Sequence, residues 1–157
     1  MGRPKNRAST FSFRACDGTT IAPKQASEVL DYVLDDNPKK WQGGSGDASL
    51  THQSSKTEQT LTFMFRTRYG YILTYCSENA TGREFFYSSS GPATGNVVSV
   101  FVGGDFFNFD ESLFVEKPSI VAAVEQFMGS EGSRPTCIEW IDEEPPLPNE
   151  LLYGDKY

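Results

Sequence analysis

Apolar residues recur every second position in the middle of the chain. Leu61, Phe63 and Phe65 form one such run, Tyr71, Leu73 and Tyr75 form another, and Arg66 to Gly70 supplies turn residues between them. Period-two spacing puts each set on one face of a strand, so the segment predicts a β-hairpin. Ser77 to Gly82 predicts a second turn, leading into Glu84-Phe85-Phe86-Tyr87. Phe11 to Ala15 alternates weakly, as an edge strand does. Val97 to Val102 is a continuous apolar run ended by Gly103-Gly104, the pattern of a strand buried on both faces. The following DFFNFDESLF mixes phenylalanines with carboxylates too irregularly to assign a strand.

Two other segments follow the helical period. Ala26, Val29, Leu30, Val33 and Leu34 make an apolar stripe within Ala22 to Leu34, with Pro23 in the first turn and Asn37-Pro38 as a stop. Ile120, Val121, Val124, Phe127 and Met128 make a second stripe, opened by Pro118 and ended by Gly129 and Gly132. Arg134-Pro135 then forces extended backbone before Ile138 and Trp140, which alternate as a last strand. Trp140, closing that strand, is expected in the core.

Between these patterns, Lys39 to Glu58 turns to Gly, Ser, Asp, Thr and Gln. It predicts a long loop, functional or disordered, pinned by Trp41; a strand around Ala48 to His52 stays open. The order strand, helix, several strands, helix, strand predicts a single α+β domain over residues 11–141. Its sheet is mainly antiparallel, with two helices packed on one face. A polar tail (residues 1–10) precedes it and an acidic, proline-rich tail (residues 142–157) follows.

Composition narrows the classes. At 157 residues with 13% aromatics, the chain can bury a core unaided. No apolar run is long enough to span a membrane, and the basic start lacks the apolar stretch of a secretory signal. Three cysteines without metal spacing fit a reduced, cytoplasmic protein. The net charge of -7 is concentrated: residues 101–157 hold twelve acidic and three basic side chains. Such a surface repels nucleic acid and attracts a basic protein.

The chemistry of catalysis is harder to find. His52 is the only histidine and has no flanking motif, so it reads as a solvated loop residue. Cys137, on the expected last strand, reads as a buried structural thiol. Cys16 and Cys76 form no CxxC or Cys/His cluster, and the acidic residues lack the alternation of a calcium loop. The glycines of GGSGD and SSSGPATGN lack the strand–loop–helix context of a phosphate site. Arg66 and Arg68 read as turn charges. No catalytic residue, metal or cofactor is expected. What remains is Asp105, Asp110 and Glu111 interleaved with Phe106, Phe107 and Phe109, followed by Asp142-Glu143-Glu144. Carboxylates beside aromatics suit the gripping of a basic partner, since charge speeds encounter and aromatics anchor. For each phenylalanine singly, filling the core is the competing role.

The order FFYSSSG, an apolar strand ending in Gly-Gly, Val115-Glu116-Lys117-Pro118 opening a helix with Ala122, Ala123 and Phe127, then Gly132, Arg134-Pro135 and Ile138-Glu139-Trp140, resembles the ending of bacterial polymorphic-toxin immunity proteins. That group includes the immunity protein of the double-stranded DNA deaminase toxin. The resemblance covers Phe85 to Trp140, a little over a third of the chain. It implies a cytoplasmic protein without catalytic residues that binds and blocks a cognate toxin, often a deaminase or nuclease, by occluding the active site. Asp105, Phe107, Asp110, Glu111, Asp142, Glu143 and Glu144 are the expected toxin contacts, facing a basic active-site cleft, with no direct contact to nucleic acid or membrane. The competing expectation is a small enzyme or ligand-binding domain with a cleft beside the 39–58 loop. Neighbouring genes would discriminate, since an immunity protein lies beside its toxin.

Overall fold

The two period-two runs fold as the centre of a larger sheet than they foretold. The computed structural model describes residues 10–103 and 105–142. Its strands β1 (Thr10–Arg14), β2 (Thr20–Ile21), β3 (Asp47–Gln53), β4 (Thr57–Arg66), β5 (Gly70–Asn79), β6 (Gly82–Ser89) and β9 (Glu139–Asp142) form a seven-stranded sheet in the order β2-β1-β3-β4-β5-β6-β9, every pairing antiparallel. Strands β7 (Val97–Val102) and β8 (Asp105–Asp110) pair antiparallel as a separate ribbon. With helices α1 (Ala26–Val33), α2 (Pro38–Gly43) and α3 (Lys117–Gly129), this is the expected α+β class, with three helices where two were expected.

Register decides which side chains meet. Leu50 pairs with Leu61 and Leu61 with Tyr75, while Ala48 pairs with Phe63 and Phe63 with Leu73. These rows share a face, and the helices cover it through Val29, Val33, Trp41, Ile120, Val124 and Phe127, all buried. Two buried tyrosines tie the sheet to that layer. Tyr71 Oη donates to the Val33 carbonyl at the end of α1, and Tyr75 Oη to the Gly132 carbonyl after α3, each at 2.8 Å. On the opposite face Met64 and Ile72 pair with each other and pack under Val98, Val100, Phe109, Leu113 and Phe114. The ribbon therefore covers one part of the second face.

Glycine is required where β5 begins. Gly70 has φ +105°, and a Cβ there would stand 2.6 Å from the Val115 carbonyl oxygen. That closeness lets Tyr71 and Val115 exchange backbone hydrogen bonds of 2.9 and 2.7 Å, docking the entry to α3 against the hairpin.

Several expectations are corrected. The first helix is shorter than Ala22 to Leu34, because Gln25 is still extended and the chain turns only at Ala26. Asn37-Pro38 does not merely stop it: the Asn37 side chain accepts from Lys39 N at 3.0 Å and Pro38 occupies the first turn, so the pair starts α2. Lys39 to Glu58 is not a long loop. It holds most of α2, all of β3 and the start of β4, and Trp41 is buried with its Nε1–H donating to the Asp35 carbonyl at 2.8 Å.

His52 is not solvated; it lies 4% exposed on β3, with Nδ1 2.9 Å from Gln59 Oε1 and its ring against Phe11. β1 is not an edge, since β2 lies outside it. β7 is not buried on both faces: Val97 is exposed while Val98 and Val100 are buried, because strand alternation turns only the latter two toward the second core cluster. The irregular segment after it is β8 followed by a 3-10 turn at Glu111–Leu113. Cys137 is exposed and precedes β9, so it is neither buried nor on the strand. Trp140 is half-buried at the rim of the main core rather than enclosed, with Nε1–H donating to the Pro135 carbonyl at 2.8 Å. The first nine residues of the expected N-terminal tail, and 143–157 of the C-terminal one, lie outside the described residues.

Candidate functional site

Those of the acidic and aromatic residues singled out from the sequence that are described lie along β8, in the 3-10 turn after it and at the end of β9. Asp105 is exposed at the ribbon's tip, where its Oδ1 accepts from Phe106 N at 2.9 Å. Strand alternation then sends neighbours to opposite faces. Phe107 pairs with the fully buried Val100 and packs inward against the second core cluster, whereas Phe106 is 47% exposed on the outer face. The outward aromatic is thus Phe106 rather than Phe107. Phe101 lies opposite it on β7, ring centroids 5.3 Å apart. Sequence reading passed over Phe106 as a contact because β8 was not assigned as a strand; with that assignment, the odd–even pattern would have marked it.

Asp110 does not stand on the rim. It is 3% exposed, and its carboxylate is filled by internal donors: Oδ1 accepts from Thr94 N (3.0 Å), Thr94 Oγ1 (3.2 Å) and Ser112 N (2.9 Å), and Oδ2 from Gly95 N (2.8 Å). Burial alone would raise its pKa. The backbone N–H groups of Ser112, Thr94 and Gly95 outweigh that and hold the carboxyl well below the usual carboxylate range. Asp110 therefore positions the ribbon: it caps the 3-10 turn and clasps the loop that enters β7. At the other end of the ribbon, Gly103 N–H donates to the Ser45 carbonyl at 2.6 Å.

Glu111, half-buried, accepts from Asn96 Nδ2 at 3.2 Å and reaches the wall of an open cleft of about 900 Å³. Glu116, Glu139, Arg68 and Tyr69 share that wall, which gives it an acidic balance. Asp142 is exposed at the end of β9, opposite Phe86, and Glu143 and Glu144 fall outside the described residues. The structure thus joins Asp105 to Glu111 through β8 and the 3-10 turn that follows it but leaves Asp142 on the far edge of the main sheet.

Catalytic groups do not converge on this surface. His52 is buried against Gly132 in the loop after α3, and Cys137, at the cleft, has its thiol pushed up by desolvation, which disfavours a thiolate nucleophile. Among the described residues, no group of three or more His, Cys, Asp or Glu side chains could hold a metal ion. Segment 39–58, beside which a cleft was expected, is built into α2 and the sheet, and at its end a small open cleft of about 240 Å³ is lined by Gln53 to Glu58 with Glu78 and Asn79.

The family model described as Immunity protein Imm1 matches residues 15–142, from the end of β1 through β9. The chain belongs to the Imm1 immunity protein family. Among curated proteins, none matches it. Imm1 membership makes the chain a toxin-immunity protein and implies a cognate toxin as its partner. It also agrees with the resemblance carried by the second half of the sequence. Among the described residues, no helix is long and apolar enough to cross a membrane.

Proposed function

We propose that this Imm1 protein protects the cell cytoplasm by binding a toxin that acts on nucleic acid, a deaminase or nuclease, and covering its active site. It performs no chemistry itself. The observation that carries this reading is the placement of charge: the last third of the chain holds twelve carboxylates against three basic side chains, and Asp105 and Asp142 stand exposed within it. An enzyme that works on a phosphate backbone needs a basic cleft. An acidic protein matches such a cleft in charge and competes with the nucleic acid for it.

Asp105, Glu111 and Asp142 supply the charge in this reading, with Glu143 and Glu144 extending the run in sequence. Asp110 is left out because its carboxylate is already filled. The test is charge reversal of Asp105, Glu111 and Asp142 together, with association to the neighbouring-gene toxin measured at low and high salt. Slower association and a flatter salt dependence are expected. Unchanged rates at both salt concentrations would place the docking surface elsewhere or make the partner non-basic.

A further inference from the structure

We propose that the toxin docks on the outer face of the β7–β8 ribbon, with Phe106 as the anchor that enters an apolar, basic-rimmed pocket on the toxin. This rests on the reading above, that the partner is a basic toxin, and names the place and the group by which it is held.

The ribbon departs from what an exposed strand face should carry. Its inner positions, Val98, Val100, Phe107 and Phe109, pack on the core. Its outer positions should then be polar. Ser99 and Asn108, which pair with each other, obey. Val97, Phe101 and Phe106 do not. Among the described residues the exposed large hydrophobics are Tyr69, Val97 and Phe106, and two of these three lie on this one face. The Phe101 ring lies against Gly46, but among the described residues Val97 and Phe106 stay exposed although the second core cluster is already closed from the inner side.

The anchor is also held in place before any partner arrives. Asp110 clasps the loop at the base of the ribbon, and the Gly103–Ser45 hydrogen bond fixes the other end. Gly46 lies so close under β7 that an added Cβ would collide with the Phe101 carbonyl. An aromatic side chain on a pre-ordered strand loses little further freedom on binding, which is the situation of an interface hot spot.

Charge selects the occupant. Asp105, next to Phe106 in sequence, alternates toward the other face but stands exposed at the ribbon's tip, where its charge reaches a partner approaching either side, and the chain as a whole carries -7. A second copy would bring the same acidic tip and the same net charge of -7, whereas a basic toxin brings the complement.

The experiment compares the full chain and its variants for binding to a catalytically inactivated form of the toxin encoded beside this gene, with thermal melting as a fold control. Phe106→Ala removes an exposed ring and should melt as wild type does while weakening affinity by about 30-fold or more. Asp105→Lys should act mainly on the association rate, and Glu125→Lys, an exposed charge on α3, should leave binding within about twofold, as an exposed charge outside the docking face should. If wild type binds and Phe106→Ala binds equally well, the ribbon face is not the docking site, although the toxin-binding reading survives. If wild type itself does not bind, both readings fail. Sedimentation of wild type as a dimer that Phe106→Ala dissociates would make the face a contact between copies and overturn the proposal.

Discussion

Asp110→Asn tests how the ribbon is held, because it keeps the side chain's size and removes only its charge and one acceptor. The carboxylate now receives four hydrogen bonds of 2.8 to 3.2 Å in a site 3% exposed. In the variant, whichever way the amide turns, its NH2 faces a backbone N–H, either that of Gly95 or those of Thr94 and Ser112. Bonds to a charged group contribute about 1.5–3 kcal/mol each, and a buried donor left unmatched costs about 1–3 kcal/mol. Losing one bond outright and weakening the others gives a cost of about 2–4 kcal/mol, allowing for non-additivity. For a domain of this length that lowers the melting temperature by about 5–15 °C.

The pH dependence has a definite sign. The folded pKa lies below the unfolded value of about 3.9, so the stabilisation is fully present above that value and is lost as pH falls below it toward the folded pKa. The gap between wild type and variant, measured by urea unfolding, should be constant from neutral pH to about pH 5 and shrink on further acidification. An Asp110→Asn variant that melts within a degree or two of wild type at neutral pH would refute the assignment of Asp110 as a clasp.

Two further predictions concern the core and the thiols. Trp140→Ala should cost about 2–4 kcal/mol, somewhat under the cost for a fully enclosed tryptophan, through lost contact with Tyr75 and the Pro135 carbonyl; a variant that melts normally but fails to bind toxin would make Trp140 a contact instead. In the native protein a thiol reagent should modify exposed Cys137 first, partly exposed Cys76 more slowly, and buried Cys16 only on unfolding; equal rates for Cys16 and Cys137 would contradict the packing of Cys16 under α2.

What could be read from the sequence was whatever had local periodicity. The β4–β5 hairpin and α3 declare themselves because each carries its own apolar repeat, with Pro118 and the glycines marking the ends of the helix. β3 did not. Its inward residues are Ala48, Leu50 and His52, and its outward ones are Ser49 and Thr51, so little in the segment is apolar. Its burial comes from β1 and β4 on either side and from the loop after α3 at Gly132, long-range contacts invisible in a local window. The same limit applied to His52, read as solvated because its sequence neighbours are polar. In the candidate site the chemistry was legible and the orientation was not. Asp105 and Asp110 look alike in sequence, yet one is exposed at a tip and the other is enclosed by a loop fifteen residues upstream. Only the register of β7 against β8 distinguishes Phe106 from Phe107.

The central claim, that this protein acts by binding a toxin rather than by altering it, is tested most directly by titration. The activity of the toxin encoded beside this gene is measured while the purified full chain is added in steps. Stoichiometric blocking predicts a linear fall to zero at one equivalent, with a complex of matching composition recovered by size-exclusion chromatography and active toxin released on denaturing the chain. Complete and lasting inactivation at a small fraction of an equivalent, with no complex recovered, would contradict the account and mark the protein as a catalyst.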